Sequence, residues 1–132
     1  MNPKKQFKFN VFEDKSSRPG DVPRATISKS GNINFNKKFR EENWPNLEGY
    51  YVIFQYDREN QVIGLQIVMD PAHNSYPIRE LPDGNGLVVS ARAFLKHNSI
   101  PFRKSTSYKI ELYREDDGYP FFIIDLTQKN KA

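Results

Sequence analysis

Cations crowd the front of this 132-residue chain. Residues 1–40 carry ten Lys or Arg (Lys4, Lys5, Lys8, Lys15, Arg18, Arg24, Lys29, Lys37, Lys38 and Arg40) against Glu13, Asp14 and Asp21, a balance of +7. The remaining residues hold ten bases and thirteen acids, a balance of −3. Ammonium and guanidinium groups gathered this way suit the neutralisation of a polyanion, whose condensed counterions they displace. A solvated basic segment on an otherwise ordinary protein has the same composition, and both readings stay open at this point.

Other chemistry-bearing residues are scattered. His73 sits in a proline-rich stretch without a nearby acid, and His97 ends a short helical pattern, where a cation suits the helix C-terminus. Gly84-Asn85-Gly86 precedes a strand and lacks the Lys-Ser/Thr partner of a phosphate loop. Asp116 and Asp117 read as a hairpin turn, and Asp57 and Asp125 are too far apart in pattern to form an acid–base pair. Tyr50, Tyr51, Phe54 and Tyr56 could stack on unpaired bases, although alternation assigns half of them to a core. No enzyme, cofactor or metal site is expected. With no cysteine, disulfides and thiolate metal sites are excluded.

The elements that must position these groups come in two copies. Gly31-Asn32-Ile33-Asn34-Phe35-Asn36-Lys37-Lys38-Phe39 is a short alternating strand running into a helix, with Asn36 as N-cap and Phe39 facing inward. Gly86-Leu87-Val88-Val89-Ser90-Ala91-Arg92-Ala93-Phe94 repeats that layout, with Ser90 in the capping position. Each copy continues into an aromatic, β-branched strand (Tyr50–Tyr56, Ser107–Tyr113), a polar turn, and a closing apolar strand (Gln61–Met69, Tyr119–Leu126). In the first closing strand Ile63, Leu65 and Ile67 alternate with Val62, Gly64 and Gln66, so one face is buried.

The fold expected is therefore mostly β with two short helices, a pseudo-duplicated β-α-β-β barrel. Its repeats span 25–70 and 86–128 of a single domain, 25–132. Asp70 to Gly86, rich in Pro and Gly, reads as a connector. Residues 1–24 form a basic leader. In it Phe7, Phe9 and Val11 alternate with Lys8 and Asn10, so Gln6–Phe12 is an edge-strand candidate, followed by a Ser, Pro and Gly linker.

Ser28-Lys29-Ser30-Gly31-Asn32-Ile33-Asn34-Phe35-Asn36-Lys37-Lys38-Phe39-Arg40, with Leu47-Glu48-Gly49-Tyr50-Tyr51-Val52, resembles the AbrB-type swapped-hairpin transcription regulators. The likeness covers roughly Thr26 to Val68, and the tandem layout is similar to the MraZ branch. Asn36 stands where that family usually has proline, and Ser30 is an extra residue in the turn. The resemblance implies docking on duplex DNA, as a transcriptional regulator or a mobile-element accessory protein. It places Lys29, Lys37, Lys38 and Arg40 on a common rim against phosphates. Asn32 and Asn34, on the exposed face of the first strand, would reach phosphates or base edges. It also implies a homodimer as one arrangement, through swapped hairpins.

Two other readings remain. One is a protein-binding module pairing through residues 6–12, and the other a single-strand binder using Tyr50 and Tyr56. The first residues carry no apolar run after their positive charges and no apolar stretch reaches bilayer length, so a cytoplasmic protein without membrane contact is expected.

Overall fold

Alternation in the first described segment sets the architecture. In β1 (Arg24–Ile27) and β2 (Asn32–Phe35) every second residue is buried, and the two strands pair antiparallel around the 28–31 turn. The computed structural model describes residues 22–44, 46–71, 74–116 and 118–129. The leader strand expected over 6–12, Pro45, His73 and Asp117 lie outside the described residues.

After β2 comes α1 (Lys37–Asn43), then the hairpin of β3 (Tyr51–Asp57) and β4 (Val62–Val68). The second half contains β5 (Ser75–Pro77), β6 (Arg79–Glu80), β7 (Leu87–Ser90), α2 (Arg92–His97), β8 (Thr106–Asp116) and β9 (Tyr119–Lys129). All nine strands form one antiparallel sheet in the order β5-β3-β4-β9-β8-β1-β2-β7-β6. Its two outermost strands, β5 and β6, are separated in the chain by Ile78 alone. They behave as one broken strand, with β5 paired to β3 and β6 to β7, so the sheet nearly closes into a barrel.

The duplication is visible in the register. Asn34 pairs with Val88, fifty-four positions later, the same offset that relates Asn36 to Ser90. Gly64 pairs with Ile123 at an offset of fifty-nine, which also relates Asp57 to Asp116 at the ends of β3 and β8. A pseudo-twofold therefore runs through the β2–β7 and β4–β9 pairs. Because β2 and β7 are antiparallel, the helices that follow them cover opposite ends of the barrel. The equivalent of β1 in the second half is the broken strand β5/β6. It falls within the 70–86 stretch read from the sequence as a connector, whose Pro71, Pro77 and Pro82 masked two short, kinked strands.

The interior is aliphatic along the barrel and aromatic at its ends. Ile33, Ile63, Leu87, Val89, Leu95 and Ile124 are fully buried. Beneath α1, Phe39 stacks on Phe35 at 4.8 Å and meets Phe122 edge-on at 5.1 Å. Beneath α2, Phe94 stacks on Phe54 at 4.8 Å. Ser90 does not cap α2: it ends β7, and the cap position falls on Ala91, which makes no side-chain cap hydrogen bond. The Ala91 N–H donates to the Gly31 carbonyl at 3.0 Å, which ties the start of α2 to the β1–β2 turn.

Gly86 is required where β7 begins, because a Cβ there would lie 2.3 Å from the Phe35 carbonyl oxygen. Gly86→Ala is expected to destabilise the fold by roughly 1–3 kcal/mol, as overpacking against backbone does, measured as a lower urea midpoint at unchanged m-value.

Candidate nucleic-acid interface

Asn36 locks the start of the first helix to the start of the first strand. Its Oδ1 accepts from the Phe39 N–H, the helix cap, and from the Arg24 N–H, both at 3.0 Å. Its Nδ2 donates to the Val22 carbonyl at 2.9 Å. One amide thus fixes where β2 ends, where α1 begins and where β1 enters the sheet.

Since Ile33 and Phe35 point inward, Asn32 and Asn34 lie on the outer face of β2. Thr26 is opposite Asn34 on β1, Ser107 opposite Thr26 on β8, and Ser90 opposite Asn32 on β7. The outer face of β8–β1–β2–β7 is therefore a field of hydroxyls and amides. Asn34 Oδ1 is shut off from solvent without a donor among the described residues. Arg24 and Lys109 face each other directly across β1 and β8, which raises the local positive potential.

The six residues expected to contact DNA are not all brought together. Lys29 lies in the β1–β2 turn, while Lys37, Lys38 and Arg40 follow the other end of β2, roughly 13 Å of strand away. The common rim implied by the resemblance is thus divided between two ends of the barrel. Lys37 is exposed on the α1 side. Lys38 is 3.8 Å from Glu42, one helical turn on. Arg40 grips Glu80 with two nitrogens, its Nε at 2.8 Å. Cations held this way present a weaker field than their number suggests.

Lys29 has gained other neighbours. Its N–H donates to Ser105 Oγ at 3.3 Å, which brings Arg103 and Lys104 alongside the turn. Arg92 donates to the Ser30 carbonyl at 3.4 Å and lies 5.6 Å from the Phe102 ring centroid. Gly31, at φ +89°, allows this approach, since a Cβ there would come within 2.7 Å of Arg92 Cβ. Among the described residues no acid pairs with Lys29, Arg92, Arg103 or Lys104.

The arrangement extends beyond this cluster. Residues 22–40 and 84–110 contain ten Lys or Arg and no Asp or Glu. The first segment makes β1, β2 and the start of α1; the second makes β7, α2 and the start of β8. These strands are neighbours in the sheet, so two stretches distant in sequence fuse into one acid-free sector. Every acid of the described chain lies in 41–83 or 111–125, on the second half of α1, on and around β3, β4, β6 and β9, and on the far half of β8. Dividing the chain at residue 40 hid the second half of the sector; the readable signal was the twenty-seven-residue run without a carboxylate.

Tyr50 and Tyr56 are half-buried and packed against the core, with Tyr50 6.0 Å from Tyr119. The described residues contain no cluster of His, Asp or Glu able to hold a metal. Asp57 is held below the usual carboxylate range by the Asn60 side chain and the Asn60 N–H, a hairpin contact remote from the basic sector. Burial pushes the Tyr108 hydroxyl up, so it stays neutral beneath the sector at physiological pH.

No family model, curated protein or solved structure matches this chain. No helix among the described residues is long and apolar enough to cross a membrane.

Asn36→Ala removes a cap together with the side-chain bonds to the Arg24 N–H and the Val22 carbonyl. The expected cost is roughly 2–3 kcal/mol, with the loss of structure in thermal unfolding followed by circular dichroism coming at lower temperature. Asn36→Asp, which keeps the acceptor, is expected to recover about half of that loss.

Proposed function

We propose that this protein binds duplex DNA through the acid-free sector of its barrel, as a small regulator or mobile-element accessory protein. The observation that carries the reading is the segregation of charge by the fold. Ten bases and no acid fall on the segments that build β8–β1–β2–β7 and the starts of both helices. Lys29, Arg92, Arg103 and Lys104 would supply phosphate contacts at the turn end, with Lys37 adding one at the other. Asn32 and Asn34, on the face between, would hydrogen-bond phosphates or base edges. The duplicated strand–helix–hairpin layout supports an AbrB-like arrangement, with the cation set moved from the α1 face toward the β1–β2 turn.

The outward residues of β1, β2 and β7 favour duplex over single strands. They are Arg, Thr, Asn, Val and Ser, with no aromatic ring among them. Single-strand binders depend on stacking, worth about 1–3 kcal/mol per base, and the outward positions of these three strands have no ring to supply it.

The reading is tested by titrating a random 20-base-pair duplex and the matching single strand over a range of salt. Five phosphate contacts predict that log K for the duplex falls with log salt at a slope of about −4.5. Reversing Arg103 and Lys104 to Glu should lower affinity at least tenfold at low salt and flatten the slope by about 2. Lys38→Ala, which removes a cation already paired with Glu42, should change affinity less than threefold. Absence of binding at low salt, or a preference for the single strand, overturns the proposal.

A further inference from the structure

Arg79 stands in the acid-bearing middle of the sequence, next to Glu80, yet strand pairing delivers it to the basic sector. β6 is the last strand of the sheet and pairs with β7, with Arg79 opposite Val88. Val88 is opposite Asn34 on β2, and Asn34 is opposite Thr26 on β1. Leu87 and Val89 belong to the core cluster and Val88 does not, so this row runs along the outer face of the barrel. Thr26, Asn34, Val88 and Arg79 therefore sit side by side on four adjacent strands.

Arg79 is exposed, and its Nη2 donates to Ser90 Oγ at 3.2 Å, which steadies the guanidinium over β7. Among the described residues no acid pairs with it, and the neighbouring carboxylate, Glu80, is held by Arg40. Asn34 Oδ1 is shut off from solvent, so the polar atom this side chain can present is Nδ2, a donor. Val88, between them, is 8% exposed, and its side chain brings neither donor nor acceptor. From Asn34 to Arg79 the row thus offers donors alone. The step from β2 to β6 covers two strand spacings, about 10 Å, which fits within a major groove about 12 Å wide.

We propose that Arg79 reads guanine in the major groove, with Asn34 donating to an acceptor on a nearby base. This rests on the duplex-binding reading above and extends it from phosphate contact to base recognition. A guanidinium fork matches the O6 and N7 acceptors of guanine. Cytosine presents a donor to this groove, and adenine a donor beside its single acceptor, so neither suits a row of donors. A phosphate contact needs only charge, which lysine supplies as well, whereas reading a base edge needs the planar fork. The cations of the β1–β2 turn lie past the Asn32 end of β2, where they would hold the backbone beside the groove that the row faces.

Two alternating 20-base-pair duplexes, one of G·C and one of A·T pairs, test this with the full chain at low salt. The native chain is expected to bind the G·C duplex at least about fivefold more tightly. Arg79→Lys should bring that preference below about twofold and leave the salt slope unchanged, since the charge is kept. Ser90→Ala, which removes the anchor of the guanidinium and no charge, should reduce the preference in the same direction. Binding without a preference, or a preference that survives in Arg79→Lys, overturns the role of Arg79 and leaves the duplex-binding reading standing. Failure to bind either duplex overturns both.

Discussion

Everything in this fold depends on the antiparallel pairing of β2 with β7. These are equivalent strands of the two copies, and they meet at Asn34 and Val88, on the pseudo-twofold itself. A sheet element paired with its own duplicate must send the following helix in the opposite direction. That sets α1 and α2 at opposite ends, each plugging the barrel with one phenylalanine, Phe39 or Phe94. The same pairing brings the acid-free stretches of both copies together, although the helices diverge. Structural closure and charge segregation are thus consequences of one contact.

The basic sector is built on rigid parts. Asn32 and Asn34 ride on a strand whose inward residues, Ile33 and Phe35, are buried at 0% and 3% exposure. The β1–β2 turn is pinned from three sides, by Ala91, Arg92 and Ser105. Cations fixed by such a scaffold lose less side-chain freedom on meeting phosphate than the same residues on a free loop. Lys38 and Arg40, which belong to the stretch most like a DNA-binding rim in the sequence, are instead spent on Glu42 and Glu80. Arg40 with Glu80 ties α1 to the broken strand across the barrel end, a structural role.

Local signals carried much of this into the sequence. The strand–helix–strand–strand repeat, Asn36 as a cap, Phe39 as the inward residue and the burial of Ile63, Leu65 and Ile67 all follow from short-range pattern. β5 and β6 were illegible because three prolines and two-to-three-residue lengths leave no periodicity to detect. Ser90 misled because a serine before a helical pattern is a good cap only if the strand ends before it, and here pairing with Asn32 extends β7 through it. The candidate site was half legible. Lys29, Asn32 and Asn34 lie in the sector; Arg92, Arg103 and Lys104 join them only through strand pairings and turns that no local pattern encodes.

The most direct test of the central claim is a residue-resolved one: an NMR titration of the isotopically labelled chain with a short duplex at low salt. The account predicts that amide shift changes concentrate on Ser28–Asn34, Ser90–Arg92 and Phe102–Ser107, three segments joined only by the fold. Changes centred on the β3–β4 hairpin and β9, or none at all, would contradict it.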